Sequence, residues 1–177
     1  HTRVSPYLHE EARMKPVIDG RHDFDFLFTG PGSRWRIRNK RLVRRLAQCT
    51  DWQEFDAVQE VRSVLGGLGN VDRFAATFPD GRPIEGLTLR IFNPRTRLWS
   101  LYWVDDRGCE LQPPVVGRFE NGRGDFYGDD ELDGKPIRVV FHWTDITPTS
   151  ARWEQAFSAD DGKTWETNWR MEMTREA

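Results

Sequence analysis

From Trp35 onward, apolar and polar residues alternate with a period of two, as strands do when one face is buried and the other is wet. Arg34, Arg36, Arg38 and Lys40 interleave with Trp35, Ile37 and Asn39. Phe55, Ala57, Gln59 and Val61 share one parity in the next run, and Phe74, Ala76 and Phe78 share one in the run after it. The runs are rich in Val, Ile, Thr, Phe, Tyr and Trp and are separated by turn sequences. These turns are 65–70 (Leu-Gly-Gly-Leu-Gly-Asn), Pro79-Asp80-Gly81-Arg82, Asn93-Pro94-Arg95-Thr96, Glu120-Asn121-Gly122, Leu132-Asp133-Gly134-Lys135 and Asp160-Asp161-Gly162-Lys163. Each supplies Gly or Asn for positive φ, or Pro for a preset φ. The pattern predicts about ten strands in meander order, over 35–44, 54–65, 71–78, 85–93, 98–105, 115–120, 124–131, 136–144, 150–158 and 165–174. Only Phe24 to Phe28 and Val43 to Trp52 read as loop or brief helix.

Sequential hairpins with no helix to cover a sheet leave a sandwich or a sheet closed on itself, and closure removes the exposed edges. The expected fold is therefore all-β, a closed antiparallel up-and-down barrel. Eight strands just fill their own interior, so about ten leave room for a ligand.

Composition narrows the function. The chain has 177 residues, enough for one domain, with 8 Trp and 11 Phe to carry burial. A net charge of −2 gives no global field to gather nucleic acid or an anionic membrane. The one local candidate, the cations from Arg34 to Arg45, follows strand alternation and reads as a wet face. The longest apolar run, Leu101 to Val104, is far too short to span a bilayer. Cys49 and Cys109 make no disulfide framework, and four His show no ligand spacing, so no metal and no cofactor are expected. A cytoplasmic location and a homodimer are carried as expectations.

Parity gives a candidate lumen. Trp153, Gln155 and Phe157 share one face of their strand; Trp165, Thr167, Trp169 and Met171 share one face of the next. Gln155 and Thr167 among indoles need partners, either each other or a ligand. Strands 85–93 and 98–105 stay ambiguous. Leu87, Leu89 and Ile91 compete with Thr88, Arg90 and Phe92, and Trp99, Leu101 and Trp103 compete with Ser100, Tyr102 and Val104. If Arg90 and Tyr102 face inward, the lumen holds a cation beside a phenol, suited to a carboxylate or enolate, and the Arg must find a partner. His142 and Glu154 lie on the polar parity; a bulge would turn them inward with Arg90 and Tyr102 as an acid/base set. Ser158 to Trp165 matches the Asp-box pattern Ser-x-Asp-x-Gly-x-Thr-Trp. One copy builds a hairpin and excludes a propeller.

Phe24-Asp25-Phe26-Leu27, Trp35, the glycine-rich turn at 65–70, the run from Ala151 to Ser158 and the run from Trp165 to Trp169 together resemble bacterial domains of unknown function with a calycin, lipocalin-like barrel (DUF1579-like), over about residues 23 to 175. The departure lies between Phe28 and Trp35, where the usual Gly-x-Trp spacing is lengthened. The resemblance implies a barrel with an internal cavity and brings no activity with it. Residues 1–22 then form an N-terminal extension, with Met14 as a native start, and 23–177 the domain. The expected ligand is a small apolar or aromatic molecule. Trp35, Trp103, Trp143, Trp153 and Trp169 would wall it, Asn39, Gln59 and Gln155 would orient it, and Arg90 and Tyr102 would join if their strands face in. The alternative is a cofactor-free isomerase, cyclase or decarboxylase in which Arg90 holds a carboxylate and Tyr102 or Glu154 moves a proton. Haem held through His142 is a further alternative.

Overall fold

A computed structural model describes residues 19–28 and 33–177. The Met14 start, most of the expected extension and the lengthened stretch at 29–32 lie outside the described residues. The expected strands are all present: β1 (Ser33–Leu42), β2 (Trp52–Val64), β3 (Gly69–Thr77), β4 (Pro83–Asn93), β5 (Leu98–Asp105), β6 (Val115–Glu120), β7 (Arg123–Leu132), β8 (Lys135–Thr144), β9 (Ser150–Ser158) and β10 (Glu166–Arg175). Each pairs antiparallel with its neighbours, and β1 closes on β10 with Trp35 opposite Arg175, so the sheet is a closed ten-stranded barrel.

The turns behave as their residues demand. Asn121-Gly122 and Asp133-Gly134 both take positive φ at both positions, the geometry that matches the twist of two-residue hairpins. In the Asp-box hairpin, Ser158 Oγ accepts the Gly162 N–H at 2.8 Å and Asp160 Oδ1 accepts the Thr164 N–H at 2.8 Å. The Trp165 indole donates to the Gly162 carbonyl at 3.0 Å, closing the turn. The motif is structural here.

The two ends of the barrel differ. At one end the segment before β1 folds inward through a single 3-10 turn (Asp25–Leu27), and Phe24 and Leu27 are fully buried. Phe24 packs its ring within 4.9 to 5.7 Å of Trp99, Phe119, Phe126 and Trp143. The Trp99 indole donates to the Gly20 carbonyl at 2.9 Å and the Trp35 indole to the Leu27 carbonyl at 3.2 Å, so the plug is fixed as well as buried. At the other end lie the 43–51 loop, the 78–82 turn and the 106–114 loop, with no such plug among the described residues.

The wall is also uneven. β5 pairs with β6 only over Trp99 to Leu101. Beyond Leu101 the edge of β5 is met by the returning loop, with the Gln112 N–H donating to the Trp103 carbonyl at 2.8 Å.

Candidate functional site

Between plug and open end the barrel encloses a cavity of about 140 Å³. Rings contribute much of its lining, among them Phe74, Trp103, Phe141, Trp143, Trp153 and Trp169. Tyr102, Gln112, Pro113, Asp129 and Asp130 line it where the β5–β6 pairing has ended, and Pro113 and Asp129 are exposed, which marks the mouth.

One polar cluster stands in this wall. Arg90 is buried and joins Asp72 through Nη2 to Oδ2 at 2.6 Å, while its Nη1 donates to Asn70 Oδ1 at 2.8 Å. Asp72 also accepts the Gln59 amide at 2.5 Å and the Thr88 backbone N–H at 3.2 Å. The register explains the convergence. Asn70 is opposite Arg90 and Asp72 opposite Thr88 across β3–β4, so cation and carboxylate are diagonal neighbours on one face. The guanidinium also lies over the rings of Phe24 and Trp143, at 5.4 and 5.6 Å. The cluster is thus charge-neutral, with both carboxylate oxygens of Asp72 engaged. Two donors stay unsatisfied in residues that line the cavity: Arg90 Nε and Trp143 Nε1, both buried with no hydrogen-bond partner among the described residues.

Of the expected binding residues, Gln59, Arg90, Tyr102, Trp103, Trp143, Trp153, Gln155 and Trp169 line the cavity. Trp35 and Asn39 do not. Both are fully buried on the inner face of β1, but Trp35 belongs to the plugged end, where Arg175 lies over its ring at 4.5 Å. Asn39 accepts the Trp169 indole N–H at 3.0 Å and so orients a wall residue instead of meeting the lumen.

The register settles the two ambiguous strands. Arg90 faces inward, and its cross-strand partner is Leu101, so Trp99, Leu101 and Trp103 face inward too. Tyr102 pairs with Leu89 on the outer parity and meets the cavity only at the mouth. An inward Arg90 with Tyr102 beside it is therefore excluded by this register. In β10 a bulge falls between Thr167 and Trp169. It shifts parity by one, so Trp169 faces the lumen while Trp165 is exposed and meets Tyr127 edge-on with ring centres 6.1 Å apart. Gln155 finds its partner in the extra residue, donating to Asn168 Oδ1 at 2.9 Å, and Thr167 is not that partner.

The acid/base set does not assemble. β8 and β9 keep their parity. His142 points outward, where its Nδ1 meets Asp125 Oδ1 at 2.5 Å and Arg123 at 2.9 Å. Glu154 pairs with Arg170 at 2.7 Å on the outer wall. With both side chains outside, neither moves a proton in the lumen, and His142 offers no axial ligand to a haem there. On the outer face of β1, Arg34 bridges Glu60 and Glu176, each at 2.6 Å, and Arg38 bridges Glu54 and Asp56 at 2.8 and 3.1 Å.

Asp72 and Asn70 are the residues that sequence reasoning missed. Their parity is that of Phe74, so alternation already placed them inside. Among the described residues, no group of three or more His, Cys, Asp or Glu converges to hold a metal, and no helix is long and apolar enough to cross a membrane. Comparison with known proteins finds no family model and no curated relative that matches the chain, so the geometry carries the functional argument.

Proposed function

We propose that the barrel binds a small neutral molecule, apolar or aromatic in its body, with one hydrogen-bond acceptor directed at Arg90 and Trp143. The observation that carries this is a ring-lined cavity in which two buried donors, Arg90 Nε and Trp143 Nε1, have no hydrogen-bond partner among the described residues. An apolar cavity of about 150 Å³ accommodates a benzene-sized molecule, which sets the scale of the ligand at roughly one ring. Arg90 supplies no net attraction for a carboxylate, because Asp72 already neutralises it and a second anion would leave one charge unpaired. An acceptor such as a carbonyl oxygen would instead satisfy the free N–H groups, whose burial without a partner costs about 1–3 kcal/mol each. The ten-stranded up-and-down order supports kinship with the calycin-like bacterial domains. The two free thiols, Cys49 and Cys109, favour a reducing, cytoplasmic setting.

The test is a calorimetric titration with acetophenone and with ethylbenzene, rings of similar size with and without the acceptor. Acetophenone should bind about tenfold or more tightly, the worth of a hydrogen bond to a charged donor. Trp143→Phe, which removes one donor at little cost in volume, should narrow that preference. If neither compound binds, or if both bind equally, the reading falls. Native mass spectrometry of gently purified protein should show a neutral adduct of comparable size.

A further inference from the structure

The open end gathers a second set of cations. Arg41 closes β1, Arg45 stands on the 43–51 loop, Arg82 on the 78–82 turn and Arg107 on the 106–114 loop. Three of their guanidinium groups lie over Phe78: Arg41 at 5.7 Å, Arg82 at 5.9 Å and Arg107 at 5.3 Å from the ring centre. A benzene ring has two faces, so at least two cations share one. Arg41, the cross-strand partner of Trp169, also lies over that indole at 4.6 Å and is not among the residues that line the lumen.

The acids nearest the ring are engaged, and Asp133 and Glu166 favour the charge of Arg45 without forming an ion pair with it. Asp80 pairs with Arg82 at 2.7 Å. Asp105 pairs with Arg107 at 3.4 Å while accepting the Trp103 indole and two backbone N–H groups. Glu166 accepts the Leu46 N–H at 2.7 Å. Arg41 and Arg45 have no ion pair within the described residues, and Arg41 Nε is buried with no hydrogen-bond partner. Burial, followed by the neighbouring charges of Arg45 and Arg107, lowers the Arg41 pKa to about 10, so it remains a cation at neutral pH. Converging, mutually repelling and unpaired cations on an aromatic support are costly unless an anion joins them.

We propose that this rim is a phosphate site, separate from the lumen, in which Arg41 and Arg45 take the two negative charges and the stacked Arg107 and Arg82 close around them. The charge count selects the ligand class. Two unpaired guanidiniums match a dianion, and phosphate carries about −1.5 to −2 near neutrality with oxygens suited to the guanidinium fork. A compact anion fits better than a polyanionic chain, because Arg34 and Arg38 on the adjoining wall are held by Glu54, Asp56, Glu60 and Glu176. Inorganic phosphate and a phosphate monoester share this chemistry.

The experiment is an NMR titration of the full chain with inorganic phosphate and, in a second arm, phenyl phosphate, at constant ionic strength with chloride as the balancing anion. Saturable shifts of the Trp169 indole N–H are expected. Tighter binding of phenyl phosphate identifies a monoester, and equal binding identifies free phosphate. Arg41→Gln and Arg45→Gln should each weaken binding about tenfold or more, while Arg34→Gln, on the paired outer wall, should leave it unchanged. Arg45→Gln lies on a loop and keeps the test intact if Arg41→Gln fails to fold. Absence of saturable binding in both arms, or wild-type affinity in a folded Arg41 or Arg45 variant, overturns the proposal.

Discussion

Arg90 and Arg41 are both guanidiniums laid across aromatic rings, and the barrel treats them in opposite ways. Arg90, deep in the wall, is tied to Asp72, Asn70 and two rings. Arg41, half-buried at the open end, rests on two rings and has no ion partner among the described residues. The difference follows from depth. A fully desolvated charge must be paired, whereas one at the rim keeps enough water to remain a cation while still repelling its neighbours. The inner cluster is therefore a closed structural unit with two spare donors, and the outer one is open to an anion.

The comparison breaks most visibly at Asp72. Asp72→Ala leaves a buried guanidinium uncompensated and should cost about 3–5 kcal/mol in chemical denaturation. The double change Asp72→Leu with Arg90→Met should cost less than Asp72→Ala, because it removes the charge together with its partner. A double variant as unstable as the single one would show that the pair itself holds the barrel.

At the rim the expected effect is much smaller. Arg41→Met keeps the stacking on Trp169 and removes a charge that its surroundings oppose, so stability at neutral pH should hold within about 0.5 kcal/mol or rise. The sign follows from the lowered Arg41 pKa. The folded state holds that proton less tightly than the unfolded chain, a cost present at neutral pH and relieved only as pH climbs through about 10. A loss of several kcal/mol in Arg41→Met would mean that Arg41 is a structural residue like Arg90.

The smallest effect lies in the Asp-box hairpin. Hydrogen bonds from Thr164 and Ser158 lower the Asp160 pKa to about 2. A depressed carboxylate contributes stability above its ordinary pKa of 3.8 and loses it as pH falls toward 2. Trp165 emission should therefore shift in that acid window, and Asp160→Asn should remove the shift without unfolding the barrel.

Much of this architecture is legible locally. Each of the ten strands was marked by alternation and by the turn residues between them, because side-chain period and positive φ are properties of a few consecutive residues. The inward parity of Gln59, Phe74, Trp153 and Gln155 followed directly. Parity was unreadable in β4 and β5 for a physical reason: Leu87, Leu89 and Ile91 keep the outer face as apolar as the inner one, and Leu87 is exposed.

What the sequence by itself determined is the set of strands, the turns and the faces of most strands, since all of these arise within one segment of chain. Only the tertiary structure decided which face of β4 looks inward, that Leu101 and not Tyr102 accompanies Arg90, and that a bulge hands Gln155 to Asn168. It alone joined Arg90 to Asp72 and brought three arginines from three separate segments over Phe78. These are relations of register and closure between strands, and no periodicity within a single strand encodes them.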